Sequence, residues 1–143
     1  MQISDVLRGK PDQAVVTIAP DAGVRDLLAL LASHNIGAVV VSPDGATIAG
    51  IVSERDVVRR LHTDGTVINN VVSAIMTSVV RTCAATDDLD DVLEVMTNGR
   101  FRHIPVSDGA ACVGIVSIGD LVKHKIDQLQ FERDQLDHYV HQT

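Results

Sequence analysis

Gly50-Ile-Val-Ser-Glu-Arg-Asp56 is matched, 64 residues later, by Gly114-Ile-Val-Ser-Ile-Gly-Asp120. Both stretches run from β-branched residues, which favour a strand, into the Ser-x-x-Asp spacing that is typical of a helix start. One copy of Gly-x-x-Ser-x-x-Asp is a weak signal. Two copies at equivalent strand-to-helix junctions indicate a duplicated unit.

The similarity between the two copies extends outward along most of the chain. Upstream of each motif lie an amphipathic helix, over 24–31 and 89–96, and a β-rich run with a turn, over 36–45 and 101–109. Further upstream, Val15–Thr17 matches Val79–Arg81, and Ile3–Leu7 matches Val72–Met76. These matches predict an α/β (α+β) fold of two tandem βαββα repeats, packed as a pseudo-twofold pair over 1–70 and 71–126, with a helical extension over 127–143.

Composition limits the classes of function. Apolar residues make up 45% of the 143 residues and aromatic residues only 2%, which predicts an aliphatic core. The net charge of −7 and the shortage of aromatic platforms disfavour nucleic-acid binding. No apolar run approaches the roughly 18 residues of a membrane span, and Met1–Lys10 does not resemble a signal peptide. The expectation is a cytoplasmic protein whose two cysteines, Cys83 and Cys112, are buried thiols.

At this point the sequence resembles the CBS-domain family, named after cystathionine β-synthase. The resemblance rests on Ile36-Gly-Ala-Val-Val-Val41, Arg102-His-Ile-Pro-Val106 and the two Gly-x-x-Ser-x-x-Asp motifs, and it spans about residues 1–126. It implies a stand-alone pair of repeats with two clefts between them. Many members bind AMP, ADP or ATP there, and some bind NAD(H) or S-adenosylmethionine. Most members are regulatory sensors.

The serine and aspartate of each motif have two compatible interpretations. Ser53 and Ser117 can cap helices, and an aspartate three residues later can bond back to the backbone. A carboxylate in a first helical turn can also accept bonds from both hydroxyls of a ribose, while the serine and free N–H groups face a phosphate. The resemblance assigns ribose binding to Asp56 and Asp120.

Two basic clusters are candidates for phosphate binding. Arg55 and Arg59 are i, i+4 neighbours on one predicted helix, and guanidinium groups suit phosphate oxygens, although a solvated face would explain them equally well. Arg102 and His103 belong to the Arg-His-x-Pro-Val pattern, which family members often use near phosphate. Strand alternation places these two side chains on opposite faces. The alternative for this pair is an exposed arginine and a half-buried histidine.

The copies differ where a ligand would lie, which predicts unequal clefts. Gly37 and Ala38 replace Arg102 and His103, and Ile118 and Gly119 replace Glu54 and Arg55, so a phosphate bound by one repeat needs cations from the other. The candidate residues of an apolar adenine slot, most of which could equally be core residues, are Val16, Thr17, Ile36, Gly37 and Ala38 in the first copy and Thr82, Phe101 and Ile104 in the second.

No catalytic triad, metal triad or P-loop is recognisable, so the expected protein is not an enzyme and requires no cofactor or metal. The first hypothesis is a regulatory module that senses adenine nucleotides and signals by a change of conformation or dimer contact to an unidentified protein partner. The alternatives are an NAD(H)-binding redox sensor and a structural interaction protein with degenerate clefts.

The predicted C-terminal helix carries a broken coiled-coil stripe, formed by Val122, Ile126, Leu129, Leu136 and Val140, with Arg133 in the missing place. Such a helix either packs on its own domain or joins a dimer interface, and a homodimer is the expectation.

Overall fold

A computed structural model describes residues 1–10 and 15–141, so the last two residues of the predicted extension lie outside it. The first repeat contains β1 (Thr17–Ile18), α2 (Val24–His34), β2 (Ala38–Val41), β3 (Gly50–Ser53) and α3 (Glu54–Thr63), preceded by α1 (Ile3–Arg8). Two 3-10 turns follow, Val67–Asn69 and Val72–Ala74. The second repeat contains α4 (Leu89–Gly99), β4 (His103–Ser107), β5 (Cys112–Ser117) and α5 (Ile118–Val140).

The sheet topology confirms the predicted α/β (α+β) class and the paired repeats. In the first repeat β1 lies parallel to β2, and β2 lies antiparallel to β3, in the order β1-β2-β3. In the second repeat β4 and β5 form the equivalent hairpin. Each hairpin ends where a serine caps the next helix, α3 or α5, as the repeated motif predicts.

The first strand of the second repeat differs from the prediction. Val79–Arg81 forms no strand, and the second repeat has only a parallel bridge between Cys83 and Val106. Pro105 occupies the place of Val40 and has no N–H to donate to a strand beside it. The bridge is therefore held by Cys83 N–H to the Pro105 carbonyl (3.1 Å) and Ser107 N–H to the Cys83 carbonyl (2.8 Å).

Each hydrophobic core includes the segment that begins the other repeat. Ile3 and Val6 of α1 are buried with Leu89, Met96 and their neighbours in the second core. The start of the second repeat, through its buried members Val72 and Ile75, packs instead in the first core, together with Val67. The segments that the repeat pattern equates, Ile3–Leu7 and Val72–Met76, thus occupy equivalent places in opposite cores.

Two equivalent glycines allow these exchanged segments to approach the sheets. A Cβ on Gly50 would lie 2.7 Å from Met76 Sδ and 2.8 Å from the Thr77 carbonyl oxygen. A Cβ on Gly114 would lie 2.8 Å from Leu7 Cδ2. Thr77 also exchanges two backbone hydrogen bonds with Ile51, each 2.9 Å, which join the connecting segment to β3.

The long helix α5 has two unlike halves. Leu121 is buried in the second core, and Lys125 bonds to Asp90 of α4 at 3.0 Å. From Leu129 to His141 every residue is exposed, so this half projects from the module. Within the described residues, no helix is long and apolar enough to cross a bilayer.

Candidate functional site

The repeated Ser-x-x-Asp motif forms the same capping box in both copies. In the first copy Ser53 N–H donates to Asp56 Oδ2 at 2.8 Å, and Asp56 N–H donates to Ser53 Oγ at 3.3 Å. In the second copy the corresponding distances, between Ser117 and Asp120, are both 3.0 Å. Both aspartates are only partly buried, and each lines a cavity. The capping interpretation therefore applies, and it leaves carboxylate oxygen available to a ligand.

The larger cavity, here called the Asp56 cavity, has a volume of about 470 Å³. Its charged lining contains two acids, Glu54 and Asp56, and four arginines. The arginines are Arg55 and Arg59 of α3 and Arg100 and Arg102 before β4. Two repeats therefore supply guanidinium groups to one space, an arrangement that suits an anionic ligand.

The smaller cavity, here called the Asp120 cavity, has a volume of about 380 Å³ and a different electrostatic character. Lys10 Nζ donates to Asp120 Oδ2 at 3.0 Å and to the Ile115 carbonyl at 2.9 Å. Burial raises the pKa of Asp120, but the Ser117 N–H and Lys10 outweigh burial and hold that pKa below its ordinary value. Asp120 is thus an ionised carboxylate already paired with a cation.

Each cavity is built from both repeats. Val16, Ile36 and the start of β2 face Asp120 of the second repeat, whereas Phe101 and the start of β4 face Asp56 of the first. The two cavities adjoin each other, since they share the lining residues Gly37, Ala38, His103 and Ser117. A Cβ on Gly37 would lie 3.4 Å from His103 Cε1, so the glycine permits the two strand starts to approach.

His103 lies between the two cavities and is the titratable group that both of them share. Burial lowers the pKa of its imidazole, and the Arg102 guanidinium and Lys10 lower it further. The carboxylates of Asp120 and Glu54 act in the opposite direction but do not restore the ordinary value. The folded protein therefore favours the neutral imidazole.

The lowered pKa of His103 predicts that this histidine makes the stability of the protein depend on pH. The unfolded chain protonates His103 near pH 6.5, whereas the folded protein resists protonation until lower pH. The histidine contribution is thus complete above about pH 6.5 and is lost as the pH falls through the folded pKa. As the pH falls from about 7.5 to about 5, we expect the melting temperature of the wild type to fall by more than that of His103→Gln.

The control is His62→Gln, on the exposed end of α3 and outside both cavities. It should follow the wild-type profile. Parallel profiles for wild type and His103→Gln would contradict the assignment.

The structure brings together most, but not all, of the residues that the sequence singled out. The Asp56 cavity is lined by Ser53, Asp56, Arg55, Arg59, Arg102 and Phe101. The Asp120 cavity is lined by Val16, Ile36 and Asp120. Both cavities are lined by Gly37, Ala38, His103 and Ser117. Thr17 lines neither, and Thr82 and Ile104 line a separate cavity of about 220 Å³. Strand alternation predicts opposite faces for Arg102 and His103, but both line the Asp56 cavity, and the regular strand β4 begins only at His103.

The sequence analysis assigned no site role to two cations that line the cavities, Arg100 and Lys10. Arg100 caps the C-terminus of α4 in a left-handed conformation, with φ of 57°, and lines the Asp56 cavity. Lys10 follows α1, and only the packing of α1 on the second repeat brings it to Asp120. Lys10 lies between the matched segments Ile3–Leu7 and Val15–Thr17, so the repeat pattern predicts no cation there.

Two equivalent units joined across a pseudo-twofold axis, with a capped aspartate in each of two adjoining cavities, define a tandem-repeat module with inter-repeat sites. The chain belongs to the CBS-domain family, since the sequence model of that family, described as "CBS domain", matches residues 3–63 and 72–127. It is 32% identical over 146 residues to the mitochondrial CBS domain-containing protein CBSX3 of Arabidopsis thaliana, covering 96% of this chain and 71% of that protein.

Solved structures agree with this membership. A CBS-domain containing protein from Agrobacterium tumefaciens superposes with a TM-score of 0.81 at 38% identity, covering 87% of this chain and 99% of that one. Two more distant structures share the fold and hold adenosine ligands. CBSX2 is in complex with AMP (TM-score 0.76, 23% identity, coverage 88% and 96%). The CBS domain pair of protein MJ0100 is in complex with 5'-methylthioadenosine and S-adenosyl-L-methionine (TM-score 0.78, 22% identity, coverage 90% and 98%).

Proposed function

We propose that this CBS pair is a regulatory module that binds adenine nucleotides, AMP, ADP or ATP, in its inter-repeat cavities. The observation that carries the proposal is the placement of Asp56 and Asp120 at the first turns of α3 and α5, on the walls of two cavities built from both repeats. The AMP and S-adenosylmethionine complexes of distant members supply the ligand class. The module has no catalytic role in this proposal and acts in the cytoplasm on a protein partner.

Different lining residues bind the ribose and the phosphate. Asp56 accepts hydrogen bonds from both ribose hydroxyls, and Ser53 and the first-turn N–H groups meet the phosphate. Arg55, Arg59 and Arg102 neutralise phosphate charge, and His103 adds a donor when a phosphate favours its protonation. In the Asp120 cavity, ribose hydroxyls take the place of Lys10 on Asp120, and the released ammonium turns to the phosphate.

Binding should move the two repeats relative to each other. Each cavity wall belongs to two repeats, so a ligand that contacts both favours one relative orientation. A partner or a second copy that contacts both repeats would sense that change.

The expected result is a rise in melting temperature with one or more adenine ligands. A ligand at 100 times its dissociation constant adds about 2.7 kcal/mol to the unfolding free energy. For a chain of this size the melting temperature rises by about 5–10 °C. Thermal unfolding with AMP, ADP, ATP, NAD⁺, NADH and S-adenosylmethionine measures it, and Asp56→Ala and Asp120→Ala should each remove the shift due to their own cavity.

The control must separate ligand binding from the loss of a helix cap. Asp26 occupies the same N3 position at the start of α2, where it accepts from Gly23 N–H at 3.4 Å, and lines neither cavity. Asp26→Ala should therefore keep the full ligand-induced shift, measured against its own unliganded protein. An unchanged melting temperature with every ligand at millimolar concentration would overturn the proposal. It would favour the structural interaction protein with degenerate clefts.

The second candidate function, an NAD(H)-binding redox sensor, is favoured by one observation. The two cavities share Gly37, Ala38, His103 and Ser117, so a dinucleotide could place one nucleoside in each cavity and its pyrophosphate beside His103. A dinucleotide bound in this way would lose its shift in both Asp56→Ala and Asp120→Ala. Mononucleotides in separate cavities would respond to one variant each.

A further inference from the structure

The apolar side chains in the second half of α5 are exposed. Leu129, Leu136 and Val140 are 52%, 63% and 59% exposed, and the helix leaves the module after Gln128. An isolated helix of about 12 residues is marginal in water, so a projecting segment of this length needs packing to persist.

The exposed apolar side chains follow a heptad pattern. Val122, Leu129 and Leu136 fall at d positions, and Ile126, Arg133 and Val140 fall at a positions. All five apolar members are at least 42% exposed. The stripe begins on the part of α5 that packs on the module and continues along the part that projects, so one straight partner helix could cover all of it.

We propose that α5 of one copy pairs with α5 of a second copy as a short antiparallel coiled coil. Aligning the whole stripe places Val122 beside Val140 of the second copy and Ile126 beside Leu136 of the second copy. The same alignment places Leu129 beside Arg133 of the second copy. The aliphatic stem of Arg133 can then cover the leucine while its charged group remains in water. This proposal does not depend on ligand binding.

The flanking charges decide the orientation. In the antiparallel register the e positions face each other, so Lys123 meets Asp137 of the second copy twice by symmetry. Glu132 faces its own equivalent, within reach of Arg133 from both copies. In a parallel pair, Glu132 would face Asp137 twice, and Arg133 would face Arg133 in the core. The second copy is therefore complementary in charge only when it is antiparallel.

Disulfide trapping tests the orientation directly. Val122→Cys and Val140→Cys are made separately, mixed, and oxidised by air with a copper catalyst. The antiparallel pair predicts a cross-linked dimer only in the mixture, whereas a parallel pair would cross-link each variant alone. The native thiols give little background, because burial raises the pKa of Cys83 to about 11 and also raises the pKa of Cys112. Cross-links in the separate variants, or none at all, would overturn the proposal.

Charge reversal measured by sedimentation equilibrium gives an independent test. Asp137→Lys replaces two attractions by two repulsions, and should weaken dimerisation about tenfold, whereas Lys123→Glu with Asp137→Lys should restore it. Asp127→Lys makes the same change in net charge at an outward b position and should leave the dimer unchanged. A tighter dimer with Asp137→Lys would indicate the parallel pair, and an unchanged one would show that α5 does not pair through this stripe; either result rejects the proposal.

Discussion

Replacing Ile3 by alanine should lower the free energy of unfolding by about 2–5 kcal/mol, although Ile3 lies near the start of the chain and outside both cavities. The side chain is completely buried in the second core, where every other buried residue except Val6 is at least 80 positions away in the chain. The truncation removes buried methyl groups and leaves a cavity that two backbone bonds of this segment, Ile3 N–H to Asp87 and Ser4 N–H to Ala85, keep from closing. Chemical denaturation followed by circular dichroism measures the loss.

The matched control is Arg8→Ala on the same helix. The Arg8 side chain is 70% exposed and pairs with Asp5, and an exposed pair of this kind contributes about 0–1 kcal/mol. A loss for Ile3→Ala no larger than that of Arg8→Ala would mean that α1 does not belong to the second core. The position of Lys10 at Asp120 would then fail as well.

Gly50→Ala should destabilise the protein by about 1–3 kcal/mol, while the equivalent Gly114→Ala should change stability by less than about 1 kcal/mol. At Gly50 the new methyl group would meet the Thr77 carbonyl, a backbone atom that is also bonded to Ile51 N–H. At Gly114 the nearest atom is Leu7 Cδ2, the far end of a side chain that can change rotamer. The two unfolding midpoints in urea, compared at equal denaturant dependence, measure the difference.

Equal losses at the two glycines would contradict the asymmetry of these contacts. The ligand-induced rise in melting temperature provides a second measurement, because Ile51 and Thr77 both line the Asp56 cavity. Gly50→Ala should therefore reduce the shift due to a ligand in that cavity more than Gly114→Ala does.

The sequence was sufficient to predict the repeat, the two capping boxes and the order of most elements. This success has a physical reason: hydrophobic period, turn residues and Ser-x-x-Asp spacing are local signals that each element carries by itself. The βαββα pattern predicts a first strand in the second repeat, and Val79–Arg81 is the segment that matches Val15–Thr17. That strand does not form, because a single residue on the neighbouring strand, Pro105, lacks the donor that the pairing would use.

The composite character of the cavities could not be read from local patterns. An amphipathic α1 shows that Ile3 and Val6 need a core, but not which of two similar cores receives them. Lys10 depends entirely on that choice, since 110 positions separate it from Asp120 in the chain. The residues of each proposed adenine slot were grouped by repeat, whereas the structure places Val16 and Ile36 opposite Asp120 of the other repeat.

The exchange of segments also has a consequence for the order in which the molecule is completed during synthesis. Ile3 leaves the ribosome 118 positions before Leu121, with which it shares the second core. At about 5–20 residues per second, α1 waits roughly 6–24 s for its binding surface to be translated. The segment around Val72, in contrast, follows directly behind the first core that it closes. The first half of the chain can therefore close while nascent, whereas α1 can dock only after the second core has been translated.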